Sequence, residues 1–312
     1  MKTAFIFPGQ GCQKEGMGKD LYDNFPKAKA IFEQANDILG ERFSDTLFTV
    51  SEDLLMDTRY TQMGVFVYEC ALALGQNEVK PDCVAGHSLG EYAALVVAGV
   101  LSFEDAIKFV KYRGEVLHDA FLNHPGNMGV VIGIPENVVL DVLYKIGEEE
   151  DEKLYIVNYN GPGQVVITGT RQSIKKACKV FVEMGAKRAF ALPIKAVGHS
   201  PNSAEEGKLL EEKLRMLRFN DAMIPIYQVA DGNSHTNSSE ILDNQIKLIT
   251  HPVQWTRLTN NMAKDGVTHF YEVGTDDTLQ KIVKRMLPDL HVSSILHTPF
   301  YEGKVFDYSE IQ

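Results

Sequence analysis

The sequence has little of several features that would define a class of protein. Of its 312 residues, 4 are cysteine, and Cys12, Cys70, Cys83 and Cys178 form no C-x-x-C pair, so neither a disulfide framework nor a zinc site is indicated. No apolar run approaches the roughly 20 residues that span a bilayer. Basic residues are outnumbered, with 31 Lys and Arg against 42 Asp and Glu, which argues against general nucleic-acid binding.

What remains is the composition of an ordinary globular protein. The chain is 44% hydrophobic and 23% charged, which is enough to bury one large core and a second small one. The first residues, MKTAFIFPGQG, hold one lysine and a very short apolar segment, so no signal peptide is predicted. We expect a cytoplasmic monomer that binds neither membrane nor nucleic acid and uses no metal or organic cofactor.

The most informative stretch lies around Ser88. Residues 82–101 read DCVAGHSLGEYAALVVAGVL, a short apolar run, a serine between two glycines and an almost unbroken apolar helix. Residues 86–90 fit G-x-S-x-G, the nucleophile elbow, in which small residues let the chain turn tightly and hold the serine hydroxyl clear of the sheet. The N–H of Leu89, at the start of the helix, would face a developing oxyanion. The alternative is a tight turn with an unreactive serine.

A glycine-rich loop follows the first predicted strand, residues 3–7. It reads PGQGCQKEGMG and is neither a P-loop nor the dinucleotide-binding fingerprint, because Lys14 stands where the third glycine belongs. A nucleotide is therefore not expected. Gln10, just past the end of the strand, is placed to contribute a donor to a pocket, unless the loop is only a surface turn.

Arg113 lies on the apolar face of another predicted helix. This helix opens at Ser102, in capping-box spacing with Asp105, and Arg113 is the one charge in its apolar stripe. Arginine is costly to bury unless it is paired, and its planar fork suits a carboxylate. Arg113 is therefore a candidate ligand for an anion, or else its head group reaches solvent or an internal acid.

His199 lies between Gly198 and Ser200, where a predicted strand runs into a loop. The chain has 9 histidines, so on position alone an exposed loop histidine is the simpler interpretation.

The order of the predicted elements indicates an α/β protein with two domains. Residues 126–194 read strand, helix, strand, strand, helix, strand, which is the ferredoxin-like arrangement, with EEEDEK at 148–153 as a solvated acidic loop. Residues 1–125 and 195–312 alternate strands with helices, which predicts a mostly parallel sheet. We therefore expect a hydrolase-like large domain interrupted by an inserted ferredoxin-like small domain.

Seven motifs occur together and in order over nearly the whole chain. They are FPGQG at 7–11, GHSLGEYAAL at 86–95, YRG at 112–114, GNMGVVIGI at 126–134, NGPGQVVITG at 160–169, GHS at 198–200 and HPVQW at 251–255. In these motifs the chain resembles the acyltransferase family of fatty-acid and polyketide synthesis, which includes the malonyl-CoA:acyl carrier protein transacylases.

The resemblance implies a catalytic role for four residues. Ser88 would be the nucleophile and His199 its general base and acid. The backbone N–H groups of Leu89 and Gln10 would form the oxyanion hole. The reaction implied is ping-pong transfer through an acyl ester on Ser88.

The resemblance also implies the substrate and the partner. Arg113 would hold the free carboxylate of a malonyl group, and the backbone carbonyl of Leu248, counted back from Trp255, would orient His199. Malonyl-CoA would be the donor and acyl carrier protein the acceptor. The alternatives are a polyketide-synthase acyltransferase, an acyl-thioester hydrolase with the same Ser/His pair, and a non-catalytic binding module.

Some positions depart from the pattern of the family. Gly198 stands where many relatives have a bulky or hydroxyl residue, which predicts a roomier acyl pocket, and Cys12 stands where serine is common. His251 and the pair at 275–276 replace the usual residues of their loops. Three basic residues on one predicted helix, Lys281, Lys284 and Arg285, are a candidate docking patch for the carrier protein, the alternative being a solvated helix face.

Overall fold

The computed structural model describes residues 1–193 and 198–310. Its strands are β1 Thr3–Phe7, β2 Cys83–Gly86, β3 Gly126–Ile132, β4 Tyr155–Gly161, β5 Gln164–Thr170, β6 Arg188–Ala191, β7 Ile226–Tyr227, β8 Ser234–His235, β9 His269–Glu272 and β10 His291–Ser294. Its α-helices are α1 Lys19–Asn24, α2 Pro26–Leu39, α3 Phe43–Thr49, α4 Glu52–Leu55, α5 Thr58–Leu74, α6 Gly90–Val97, α7 Phe103–Asn123, α8 Glu136–Glu150, α9 Arg171–Glu183, α10 Ala204–Leu214, α11 Ser238–Lys247, α12 Trp255–Lys264 and α13 Thr278–Met286. Across the described ranges, no helix is both long and apolar enough to cross a membrane.

Six strands form the larger sheet in the order β10-β9-β1-β2-β7-β8. All neighbours are parallel except β8, which runs antiparallel to β7. All five residues of β1 are buried, as expected for an inner strand covered on both faces. The predicted α/β fold with a mostly parallel sheet is confirmed.

The smaller sheet is antiparallel, in the order β4-β5-β3-β6. With α8 and α9 it gives the chain order strand, helix, strand, strand, helix, strand, as the ferredoxin-like prediction requires. An apolar cluster that includes Val139, Val165 and Phe181 joins the two helices to the sheet. The predicted boundary between residues 194 and 195 lies outside the described residues.

The prediction of an acidic loop at 148–153 is wrong in its first half. Helix α8 continues through Glu150, and it ends at Asp151, which has a φ of 52°. Lys176 of α9 lies 2.7 Å from the carboxylate of Glu149 and 2.5 Å from that of Glu150. These ion pairs between two helices balance the acidic run, and a charge count along the sequence does not reveal them.

Other boundaries differ by a few residues. The helix predicted at 26–39 is confirmed, whereas the one predicted at 62–76 begins at Thr58, because the carboxylate of Asp57 accepts the backbone N–H of Arg59. The strand predicted at 224–230 is reduced to β7, because the chain turns there into the short strand β8. The sequence patterns did not predict α1, α3 and α4.

Candidate active site

Ser88 lies in the turn between β2 and α6, at the carboxyl edge of the larger sheet. Its φ is 55°, in the left-handed region that few non-glycine residues adopt and that suits the strained turn of a nucleophile elbow. A Cβ atom at Gly86 would lie 2.1 Å from the backbone nitrogen of Glu91, and one at Gly90 would lie 2.3 Å from the carbonyl oxygen of Phe7. The tight turn that presents Ser88 therefore requires glycine on both sides.

His199 reaches Ser88 from the loop that precedes α10. Its Nε2 atom lies 2.7 Å from Ser88 Oγ, and its Nδ1 atom lies 2.6 Å from the backbone oxygen of Leu248. A carbonyl oxygen only accepts, so Nδ1–H donates to Leu248 and Nε2 is free to take the Ser88 proton. His199 is 7% exposed, so the interpretation as an exposed loop histidine is wrong.

The surroundings of His199 favour its neutral form. Burial, and then the positive charge of Arg113, lower the pKa of His199 to about 3, well below its ordinary value. The imidazole is therefore unprotonated near neutral pH, and a neutral imidazole is what a general base needs.

Arg113 of α7 is a buried cation beside Ser88. Its side chain is 2% exposed; Nη1 donates to Gln62 Oε1 at 2.6 Å and Nη2 donates to Ser88 Oγ at 3.3 Å. No carboxylate of the described residues forms an ion pair with it, and burial lowers the pKa of its guanidinium. Neither a solvated head group nor an internal salt bridge explains Arg113. Because an uncompensated buried charge is costly, the site favours an anionic ligand.

These residues line one small cavity, with a volume of about 80 Å³. Met128 of β3 and Asn158 of β4 come from the smaller sheet, and the other lining residues come from loops and helices around the carboxyl edge of the larger sheet. The full lining is Gly9, Gln10, Gln62, His87, Ser88, Leu89, Arg113, Leu117, Met128, Asn158, His199 and Ile249. A larger cavity of about 530 Å³, between the end of α7 and the smaller sheet, contains neither Ser88 nor Arg113. The reactive groups therefore place the candidate site in the smaller cavity.

Two backbone segments lie beside Ser88 in the cavity, the start of α6 and the loop after β1. Leu89 is the N-cap residue of α6, so its N–H lies at the positive end of a helix. Gln10 follows β1, the strand next to β2, and its side chain donates to Thr58 Oγ1 at 3.3 Å. A Cβ at Gly9 would lie 2.6 Å from the oxygen of His87, so the loop packs closely on the elbow. Gly9, Gln10 and Leu89 all line the cavity that contains Ser88, as an oxyanion hole at Ser88 would require.

Sequence reasoning missed several residues of the site. Gln62, which orients Arg113, had one signal, a polar side chain inside the apolar run of α5. His87 Nε2 lies 2.9 Å from Asn160 Oδ1, which joins the elbow to β4 of the smaller sheet. No local pattern could reveal that contact, because the two residues are 73 positions apart.

Cys12 does not line the cavity. Its side chain is 4% exposed, and burial raises the pKa of its thiol well above the ordinary value. The uncharged thiol is a poor nucleophile, so Cys12 does not compete with Ser88.

The hydrogen bond between Ser88 and a neutral His199, beside amides at a helix start, is suited to forming an ester on the serine. The fold and the site thus match the class of acyl-transfer enzymes that use a serine nucleophile, a class that includes both hydrolases and transferases.

Comparison with known proteins gives the family. The acyl transferase domain family matches residues 4–299. The chain is 35% identical over 298 residues to a malonyl CoA-acyl carrier protein transacylase of Staphylococcus aureus (strain MRSA252), covering 94% of this chain and 95% of that one. The protein therefore belongs to the acyl transferase domain family and is an acyltransferase, which confirms the resemblance found in the sequence.

Solved structures agree with this assignment. An acyl carrier protein S-malonyltransferase from Vibrio cholerae matches with a TM-score of 0.87 at 32% identity, covering 94% of this chain and 96% of that one. A malonyl-transacylase solved in complex with its type II polyketide-synthase acyl-carrier protein matches with a TM-score of 0.88 at 30% identity, covering 94% and 95%.

Proposed function

We propose that the protein transfers a malonyl group from malonyl-CoA to the pantetheine thiol of an acyl carrier protein, supplying fatty-acid biosynthesis. The observation that carries the malonyl assignment is Arg113, a buried guanidinium without an ion pair in the described chain, 3.3 Å from Ser88 Oγ. In a malonyl ester one methylene separates the carbonyl from the free carboxylate. Such a short dicarboxylic group on Ser88 brings its anion directly to the guanidinium.

In the first half-reaction Ser88 attacks the thioester. Its hydroxyl proton passes to His199 Nε2 while Oγ bonds to the carbonyl carbon. The negative charge on the carbonyl oxygen faces the N–H groups of Leu89 and Gln10. The carbon–sulfur bond then breaks, and the CoA sulfur takes the proton from Nε2, which leaves the malonyl ester on Ser88.

The second half-reaction reverses these roles. The thiol of the carrier protein gives its proton to His199 Nε2 and attacks the ester carbon. Ser88 Oγ leaves and regains the proton. Throughout, the bond from Nδ1–H to the Leu248 carbonyl holds the imidazole in the tautomer that both steps need.

Hydrolysis would use the same two residues with water as the acceptor. Arg113 favours transfer of a dicarboxylic acyl group, because a simple acyl hydrolase needs no partner for a carboxylate. The names of the relatives support the same choice, and nothing in the site favours the polyketide alternative over fatty-acid synthesis.

The fate of the acyl-enzyme tests transfer against hydrolysis. The protein is loaded with radiolabelled malonyl-CoA, freed of CoA and divided between buffer and buffer with pantetheinylated carrier protein. The proposal expects the label to stay on the protein in buffer and to move to the carrier when it is added. Loss of label to malonate at the same rate in both samples would support a hydrolase.

We also propose that the carrier protein docks on α13. Lys281, Lys284 and Arg285 are exposed on this helix; Lys281 forms an ion pair with Asp277 and Arg285 donates to Gln164 Oε1. The chain carries a net charge of −11, so an acidic partner needs a local basic surface. Lys284 and Arg285 are the residues we propose for that surface.

Three further assignments remain predictions. They are the division into a large domain, 1–125 with 195–312, and an inserted domain, 126–194; the monomeric state; and the cytoplasmic location.

A further inference from the structure

Glu91 is a buried acid with both carboxyl oxygens hydrogen-bonded. It is the second residue of α6 and is 0% exposed. Its Oε1 atom accepts the backbone N–H of Val229, and its Oε2 atom accepts from Gln245 Nε2, both at 2.7 Å. Burying a carboxyl group is costly unless its oxygens have partners. Gln245 joins the helix after Ser88 to α11, and Val229 joins it to the segment between β7 and β8.

Gln245 connects this acid to the histidine. It is 2% exposed and lies in the last turn of α11. Leu248, the C-cap residue of α11, donates its N–H to the Gln245 carbonyl at 3.3 Å and accepts from His199 Nδ1 at 2.6 Å. The backbone N–H of Glu91 also donates to the Ser88 carbonyl at 3.2 Å. The contacts therefore close a ring from Ser88 through Glu91, Gln245, Leu248 and His199 back to Ser88.

We propose that Glu91 is a positioning residue, which fixes the end of α11 against the nucleophile elbow and so sets where the Leu248 carbonyl holds His199. It touches no reacting atom. The inference rests on the proposed Ser88–His199 chemistry and not on the identity of the acyl group.

The protonation of Glu91 indicates which substitutions keep the link. Burial raises the pKa of Glu91 to about 8. The backbone N–H of Val229 and the side-chain amide of Gln245 lower this pKa, the charge of Asp231 raises it and that of Arg113 lowers it. Near neutral pH the side chain is therefore a carboxylic acid, with one oxygen to accept from Val229 and one O–H to donate. Gln245 Oε1 has no hydrogen-bond partner among the described residues, so a rotated Gln245 amide can accept that proton.

Glutamine at position 91 has the same pattern, one acceptor and one donor, whereas methionine keeps the volume and loses both. Glu91→Gln should keep the connection to α11, and Glu91→Met should break it. A matched control exists in Glu272, also 0% exposed, whose carboxylate accepts the N–H groups of Leu279 and Gln280 at the start of α13.

The test uses phenylmethylsulfonyl fluoride, which needs an activated serine but no malonyl group or carrier protein. Ser88 Oγ bonds to sulfur as the sulfur–fluorine bond breaks, the hydroxyl proton passes to His199 Nε2 and fluoride leaves. The rate is followed by mass spectrometry of the Ser88 peptide. Because small displacements of catalytic groups cost up to about 100-fold, we expect Glu91→Met to slow sulfonylation by about 10- to 100-fold. Glu91→Gln should react at nearly the wild-type rate.

The control separates positioning from general loss of stability. Glu272→Met should lower the midpoint temperature of thermal unfolding, as Glu91→Met does, but it should be sulfonylated at the wild-type rate. The proton resonance of His199 Nδ1–H should shift in Glu91→Met and stay in place in Glu272→Met. A wild-type rate in Glu91→Met, or equal loss in both methionine variants, overturns the proposal.

A second variant keeps the proposal testable if Glu91→Met fails to fold. If Glu91→Met does not fold, Gln245→Met breaks the same link from α11, and an unchanged rate there overturns the proposal equally. If the wild-type protein accepts the sulfonyl group but takes no malonyl group from malonyl-CoA, the proposed function is contradicted. The sulfonylation rates of the variants would still test the role of Glu91.

Discussion

Arg113 Nη2 lies 3.3 Å from Ser88 Oγ, so the buried cation of the site is in contact with the proposed nucleophile. Any acyl group on Ser88 therefore meets the guanidinium within a few bonds of the ester carbon. Gln62 holds the other end of the guanidinium, so Arg113 is fixed before an anion arrives, which lowers the cost of binding one.

Replacing Arg113 should separate malonyl from acetyl transfer. In Arg113→Ala the malonyl carboxylate is left buried and unpaired, which typically costs about 3–5 kcal/mol. The expected loss in kcat/KM for malonyl-CoA is about a hundred- to several-thousand-fold. Acetyl-CoA has no carboxylate and should lose little. Steady-state kinetics with both thioesters, alongside thermal unfolding, makes the comparison, and a parallel decline for both would mean that Arg113 is structural.

The rate should begin to fall only at unusually low pH, so the acid limb of the pH–rate profile should lie well below pH 5. His199 must be neutral to act as a base, and its pKa is about 3 in the free protein, so kcat/KM should stay level as pH falls from 7 to 5. Arg113 lowers this pKa, although burial is the larger cause. Arg113→Ala should therefore move the acid limb to higher pH, measured with acetyl-CoA. A wild-type limb near the ordinary histidine pKa, about 6.5, would contradict this prediction.

The raised pKa of Glu91 predicts a pH-dependent difference in stability between the wild type and Glu91→Gln. The folded pKa is about 8, against an ordinary value of 4.5, so between these values the folded state holds a proton that the unfolded state releases. Wild-type stability should therefore fall as pH rises through this window, by up to about 1.4 kcal/mol per unit relative to Glu91→Gln. Urea unfolding at pH 5, 6, 7 and 8 measures the difference, and a constant value would mean that Glu91 titrates normally.

The proposed docking surface on α13 predicts a selective effect of charge reversal. Replacing Lys284 and Arg285 by glutamate should raise KM for the carrier protein, more at low salt than at high salt, and leave KM for malonyl-CoA unchanged. Lys175→Glu with Lys179→Glu on α9 is the matched control, because these lysines are also exposed. Equal effects of both pairs, or equal effects on both substrates, would refute docking at α13.

Local patterns in the sequence predicted the parts of the site that depend on neighbouring residues. Glycines on both sides of Ser88 predicted the elbow, and the apolar stripe of α7 placed Arg113 on the face directed at the core, with a solvated head group as the alternative. Residues that act across the chain left no such signal: Glu91 and Gln245 are 154 positions apart. The position of His199 alone favoured solvent exposure. Its assignment depended on the resemblance, because burial of a loop residue is decided by packing from distant segments.

The same limit explains the misassigned acidic segment. Three successive glutamates suggested a solvated loop, but Lys176 of α9 pairs with two of them and the helix continues. Tertiary contacts of this kind override local charge patterns.

Mass spectrometry of the protein after brief incubation with malonyl-CoA tests the proposed chemistry most directly. The peptide that contains Ser88 should gain the mass of one malonyl group, Ser88→Ala should gain none, and the adduct should disappear from the wild type when pantetheinylated carrier protein is added. A malonyl adduct on Cys12, or one that persists in Ser88→Ala, would contradict transfer through a Ser88 ester.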